Sequence, residues 1–315
     1  MSDERSTRAD RIEGALRGVL VGDAVGVPYE FAGPYDAATV VFGATGTWGK
    51  PPGTWSDDGA LTLATLDALL PVTGTGASAL DLERHGKAFL AWRDGVAYTP
   101  DHEGRFDIGG ATSQALDRIR AGIEAELAGG ITERSQGNGS LMRIVPVALV
   151  VLPDGEDRLL WARRASRVTH GHIVCEVACA WYVAIVERLI GGDDPADALA
   201  AGRAALVAHL AGHKAGHAAL ATIEACTKRT GGGWVVDSFW SAWDAFAGAG
   251  SYDETIRRAV AYGRDADTTA AIAGGLAGAR WGVSGIPATW RAGMRGEAVA
   301  GPLIRRLLDQ VAAAS

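Results

Sequence analysis

Apolar residues along this chain recur with the period of a helix far more often than with that of a strand. In "WSDDGALTLATLDALL" (55–70), Leu61, Ala64, Thr65, Ala68 and Leu69 fall on one face at helical spacing. Residues 173–190, "IVCEVACAWYVAIVERLI", form the most apolar long stretch. Glu176, Glu187 and Arg188 interrupt it, so it reads as a buried helix of a water-soluble fold rather than a membrane span. Residues 196–228 are rich in Ala and read as continuously helical. "IVPVALVVL" (144–152) has the composition of a strand, but Pro146 suits the first turn of a helix better. Gly-rich loops are expected at 43–53, 129–140 and 229–234, and none is long enough for a flexible interdomain linker. The pattern predicts a single compact all-α domain over residues 11–315, preceded by a polar, disordered segment at 1–10.

The first helix carries a stripe without side chains. Gly14, Gly18, Gly22 and Gly26 recur every fourth residue. Each helical Gly costs about 1 kcal/mol relative to Ala, so four in register imply that another backbone packs against this face. Gly274, Gly275 and Gly278 offer a matching small-residue surface. The alternative is that the chain has already left the helix by Gly22.

Composition narrows the function. The chain has 315 residues, 48% of them hydrophobic, which is enough for a sizeable core. Its net charge of −7 and its lack of basic clusters speak against a nucleic-acid surface. Three cysteines without a framework speak against a disulfide-stapled secreted domain, and the polar N-terminus is no signal peptide. A cytoplasmic location is expected.

Two short acidic runs stand at helix starts. Ser56, Asp57 and Asp58 open one apolar helix; Asp265, Asp267 and Thr268 open another. Ser and Asp are ordinary N-caps, but adjacent Asp57 and Asp58 cannot both cap, and crowded like charges call for a cation. Each run offers one hydroxyl and two carboxylates. An all-oxygen donor set selects Mg²⁺, Mn²⁺ or Ca²⁺ over Zn²⁺, and four carboxylates suit two metals bridged by shared ligands, provided the runs meet in space. Weaker signals surround them. Asp23, Glu30 and Asp107 are isolated acids that spacing alone does not promote. "SQGNGSLMRIVP" (135–146) has the small residues and free amides of a phosphate cradle, although a plain Asn-Gly turn would look the same. "THGH" (169–172) implies a loop. His209, His213 and His217 repeat at i, i+4 and i+8, a spacing too generic to establish a metal site. Cys175 and Cys179 read as buried thiols.

Taken in order, "GALRGVLVGDAVGVPYEF", "WSDDGALTLAT", "DIGGAT", "GNGSLMRIVP", "THGH", "GRDADTTAAIAGGLAGARWG" and "GIPATW" resemble the ADP-ribosylglycohydrolase family, over roughly residues 11–295. The resemblance implies an orthogonal all-α helical domain and a binuclear Mg²⁺ centre, with Mn²⁺ as the alternative ion. It implies hydrolysis of the bond between ADP-ribose and an acceptor. That acceptor would be a protein side chain such as arginine or serine, or a small conjugate such as an acetyl ester or a nucleobase; a silent ADP-ribose-binding protein is the competing reading. It implies Ser56, Asp57, Asp58, Asp265, Asp267 and Thr268 as metal ligands, and Glu30 beside one metal. Asp107 would touch the ribose. Ser135, Gly137, Asn138, Gly139 and Ser140 would line the diphosphate, and His170 or His172 would contact ribose or phosphate. Water activation falls to Asp57, Asp58 or Asp265, with Glu30 next. A monomer acting on an ADP-ribosylated protein or small conjugate is expected. Two positions depart from the family pattern: Gly59 stands where a hydroxyl residue is usual, which would loosen a metal shell, and Arg264 precedes Asp265, where it would pair with a carboxylate or reach outward.

Overall fold

The structure is a computed structural model that describes residues 2–314, with side chains from residue 8 onward. Fourteen α-helices and no strand appear among the described residues. They are α1 (Ser2–Gly26), α2 (Asp57–Leu69), α3 (Leu82–Asp94), α4 (Gly110–Arg120), α5 (Pro146–Leu149), α6 (Arg158–Arg167), α7 (Ile173–Gly191), α8 (Pro195–His209), α9 (Lys214–Glu224), α10 (Val235–Ala247), α11 (Tyr252–Val260), α12 (Ala266–Trp281), α13 (Ala288–Gly293) and α14 (Glu297–Ala313). The all-α expectation holds. No helix among the described residues is long and apolar enough to cross a membrane.

The glycine stripe explains the central packing. A β-carbon on Gly14, Gly18, Gly22 or Gly26 would lie 2.5 Å from Gly278 O, 2.2 Å from Gly274 O, 2.2 Å from Ala270 O and 2.3 Å from Asp267 Cα, respectively. The backbones of α1 and α12 therefore touch along four turns, and α1 stays helical through Gly26. Two buried tyrosines brace the pair: Tyr252 donates to Gly18 O (2.7 Å) and Tyr182 to Ile272 O (2.9 Å).

The helix α1 runs from Ser2 to Gly26, and Asp10 accepts hydrogen bonds from Ser284. Two local expectations change. The run 196–228 is two helices, broken at Gly212, which adopts φ +78°. With that break His209 and His213 leave a common helix face, and both turn their Nε2 atoms to the Arg163 guanidinium (3.4 and 3.3 Å). His213 caps α9 and His209 meets Asp157, so their spacing serves packing. Pro146 does open a helix, the single turn α5. In α7, buried Glu176 is satisfied by Arg163 and Arg167 (3.2 and 2.8 Å), which reconciles its charge with its burial.

Candidate active site

The two acidic runs do meet. Contact between α1 and α12 sets the end of α1 beside the start of α12, and α2 begins at the same point. Neither run spends its carboxylates on capping. Ser56 caps α2 by accepting from Asp58 N (3.4 Å), while Asp265 at the start of α12 makes no side-chain cap. Asp23 on α1 adds to that cap by accepting from Ser56 N (2.9 and 3.0 Å) and Gly59 N (2.7 Å). Asp23 is the residue that sequence spacing failed to promote. Its signal was available: one acid inside the otherwise apolar "GVLVGDAVGV" of a buried helix face.

Gly59 has a physical reason. A β-carbon there would lie 2.6 Å from the Trp55 indole, so an aromatic side chain occupies the space in place of a hydroxyl. The position is packed rather than loosened.

Carboxylate oxygens of Asp23, Asp58 and Asp267 lie within 4.8 Å of one another, as do those of Glu30, Asp107 and Asp267. Asp267 belongs to both groups. The Ser56 and Thr268 hydroxyls reach Asp58 Oδ2 (3.2 and 3.3 Å). Asp58 Oδ1 and Asp267 Oδ2 are buried without any hydrogen-bond partner. Burial and neighbouring acids push the carboxyls of Asp57, Asp58 and Asp267 well above their usual range. Burial likewise pushes Asp23 up to about 7, Glu30 to about 8 and Asp107 to about 6, and loss of hydration raises Asp265. No Lys or Arg forms an ion pair with any of these seven acids among the described residues. Orphaned buried oxygens in an all-oxygen set with no counter-ion fit a hard divalent cation.

This acidic patch forms one end of a cavity of about 770 Å³. Glu30, Asp57, Asp107, Asp265 and Thr268 face it from the acidic end; Gly137, Asn138, Gly139 and His170 face it from the other. The start of α4, Gly109 to Thr112, also lines it, and first-turn amides of a helix have no partner inside the helix. Asn138 links the two ends by donating from Nδ2 to Asp265 Oδ2 (2.8 Å) and Ser238 Oγ (2.9 Å). Phe31, Met142 and Arg264, which lie inside quoted motifs without having been assigned a contact, join the wall, as do Gly232 and Gly233 from a loop outside every motif. Arg264 pairs with no carboxylate among the described residues; it reaches Thr230 Oγ1 (3.4 Å). Three predicted contact residues do not line the cavity. Ser135 turns to Thr132 (2.9 Å). Ser140 is fully buried and accepts from Ser166 Oγ (2.8 Å). His172 caps α7 and faces Glu133 (3.5 Å). Cys175 and Cys179 support the 135–140 loop from α7, with Sγ 3.5 Å from Gly137 O and 3.5 Å from Ser140 Oγ.

Known proteins resemble this chain over nearly its full length. A family profile described as ADP-ribosylglycohydrolase matches residues 4–315. The ADP-ribosylarginine hydrolase Tri1 of Pseudomonas putida (strain GB-1) is 31% identical over 286 residues, 89% of this chain and 73% of that protein. The ADP-ribosyl-dinitrogen-reductase glycohydrolase of Rhodospirillum rubrum is 28% identical over 288 residues, 89% of each chain. A solved structure described as an ADP-ribosylglycohydrolase-related protein complex superposes with a TM-score of 0.76 at 29% identity, covering 98% of this chain and 100% of that one.

Proposed function

The chain belongs to the ADP-ribosylglycohydrolase family, which makes it a glycosidic hydrolase, and we propose that it releases ADP-ribose from arginine side chains of modified proteins with the help of two Mg²⁺ ions. The observation that carries the reading is the convergence of acids from α1, α2 and α12 at one end of a cavity whose other end is a Gly-Asn-Gly loop. Arginine is favoured among acceptors because Tri1, a relative at 31% identity, is named for it.

Asp58 and Asp267, with their orphaned oxygens, would hold the cations together with Asp57, Asp265, Ser56 and Thr268; Mn²⁺ suits the same donors. When bound, such ions polarise hydroxyls of the terminal ribose and stabilise developing charge. The chain's own residues do the rest. The amides of Gly137 and Gly139 and those of the first turn of α4 face the diphosphate, while the Asn138 amide is held by Gly233 O (3.1 Å). Asp107 sits at the ribose end. Asn138 fixes the orientation of Asp265. Asp58 is sealed behind the cavity wall, whereas Asp57 and Asp265 face the cavity. Asp57, whose carboxylate no side chain holds, takes the proton from the attacking water; Glu30, anchored through Oε2 by Trp48 Nε1, is the second group within reach. As water bonds to the anomeric carbon, the bond to the guanidino nitrogen breaks, and the proton that Asp57 took from the water passes to that nitrogen. The ring's oxocarbenium character is met by the surrounding carboxylates.

The test is incubation with an ADP-ribosyl-arginine conjugate and Mg²⁺, reading free ADP-ribose. Release that EDTA abolishes and that Asp58→Asn, Asp267→Asn lacks is expected. Tight ADP-ribose binding without release from this conjugate would overturn the arginine reading.

A further inference from the structure

Arg143 is a cation in the wrong place for ordinary stability. It is fully buried, and no carboxylate pairs with it among the described residues. Its guanidinium lies over the Phe89 ring at 4.5 Å, and Nε and Nη1 have no hydrogen-bond partner. A buried, uncompensated charge is expensive. Its one short hydrogen bond runs from Nη2 to Thr169 Oγ1 (2.8 Å), with a longer one to Ala165 O (3.3 Å). Thr169 Oγ1 in turn lies 2.8 Å from His170 Nδ1. The line then ends in the cavity: His170 Nε2 has no partner among the described residues and sits 3.2 Å from where a Gly137 β-carbon would stand.

The proton positions along this line follow from donor arithmetic. A guanidinium only donates, so Thr169 Oγ1 accepts from Arg143. The Thr169 hydroxyl is fully buried, and no group other than Arg143 and His170 reaches it. If His170 Nδ1 carried a proton, Oγ1 would accept twice and its own hydrogen would be left unpaired in the interior. One arrangement satisfies every group: Arg143 donates to Thr169, Thr169 donates to His170 Nδ1, and the imidazole carries its proton on Nε2. Burial and Arg143 also push His170 down to about 3, which keeps the ring neutral.

We propose that Arg143 and Thr169 are positioning residues that lock His170 in the Nε2–H tautomer, so that it donates a hydrogen bond to a phosphate oxygen lying against the Gly137–Gly139 loop. The ligand identity rests on the function proposed above; the tautomer does not. An anionic diphosphate at this point also supplies the counter-charge that Arg143 lacks within the protein.

Selective ¹⁵N-histidine labelling and long-range ¹H–¹⁵N correlation of the whole chain test the lock directly. In the wild type, His170 is expected to show a pyridine-like Nδ1 and a protonated Nε2 from pH 6 to 8. A protonated Nδ1 overturns the proposal. Thr169→Val removes the donor at nearly constant volume. It is expected to mix the tautomers and to weaken ADP-ribose binding by about 5- to 10-fold, the scale of one lost hydrogen bond. Thr169→Ser, which keeps the hydroxyl, is expected to restore both readouts. Equal tautomer and affinity in wild type and Thr169→Val overturn the relay. Absence of ADP-ribose binding by a wild type with the expected tautomer overturns the ligand reading alone.

Discussion

Gly22→Ala separates two physical effects by sign. In an unencumbered helix, Ala is better than Gly by about 1 kcal/mol. At this position the new methyl would lie 2.2 Å from Ala270 O and 2.8 Å from Ala270 C. That is more than 1 Å short of ordinary van der Waals contact. The obstacle is backbone, so no rotamer change relieves it; α1 and α12 must move apart. Overpacking of this kind costs about 1–3 kcal/mol, or more when the backbone is rigid. Separation also strips contact from a pair of helices that Tyr252 and Tyr182 hold in register. After the propensity gain, the net expectation is a loss of about 1–2 kcal/mol. The movement also draws Asp23, the next residue, away from the α2 amides it caps. Urea unfolding with and without Mg²⁺ measures both consequences. Gly191→Ala, where nothing lies within 4 Å of the new carbon, is the control and is expected to be neutral or stabilising. A Gly22→Ala protein that is more stable than wild type, with its Mg²⁺ stabilisation intact, would refute the close-packing argument.

Three further outcomes are expected. Asp267→Asn removes one anion from the crowded, buried set, so in EDTA it melts above the wild type by a few °C, about the shift that 1–2 kcal/mol gives at this size; with Mg²⁺ the order reverses, and an unchanged order in differential scanning calorimetry removes Asp267 from the cation site. Gly59→Ser forces a β-carbon into the Trp55 indole and is expected to lose about 1–3 kcal/mol in urea unfolding without gaining activity; greater stability or a tighter cation site would count against the packing account. Burial holds His85 down to about 4 in the folded state, below the unfolded value near 6.5. The unfolded chain therefore binds this proton first, and stability falls as the pH drops from 6.5 towards 4. The loss reaches about 2 kcal/mol between pH 7 and 5. His85→Leu abolishes that component, so the wild-type-minus-variant difference in Mg²⁺ buffer should shrink by that amount; a pH-independent difference would show that His85 titrates normally.

Local patterns that depend on one element were legible in the chain. The four-residue glycine repeat announced a close backbone partner, and the small residues of 274–278 were its match. Pro146 marked a helix start, and the two acidic runs marked where α2 and α12 begin. What could not be read was anything requiring two elements to be placed together. Asp23 stands out as an acid in an apolar helical run, but its task of capping α2 shows only when α1 is laid against the start of α2. Ser135 and His172 share motifs with true cavity residues, yet each stands two positions from one, at Gly137 and His170, and its side chain turns elsewhere. The His209–His213 spacing suggested one helix face because Gly212, with no side chain of its own, hides a break that only its positive φ reveals. Gly59 read as a missing ligand because Trp55, four residues upstream, was not recognised as the group that fills its place.

The same packing that builds the fold creates the electrostatic problem that the site must solve. Four helical glycines give up about 4 kcal/mol of intrinsic helix preference, and what they secure is backbone contact between α1 and α12. That contact seats Asp23, Asp58 and Asp267 within 4.8 Å of one another in the interior, where each carboxylate resists ionisation. Without a cation, neutral pH therefore works against the fold: carboxyls raised above their unfolded values favour the folded state when protonated and oppose it as pH climbs through the raised values. Asp23, held up to about 7, and Glu30, up to about 8, set the upper part of that window, from the ordinary carboxylate range near 4 to about 8. A bound divalent cation reverses the sign by favouring the ionised forms. The pH dependence of unfolding should therefore differ in direction between EDTA and Mg²⁺ across pH 5 to 8, with stability falling in the first and flat or rising in the second. Parallel profiles would mean that these acids are neutralised by something other than a cation, and the two-metal reading would fall with them.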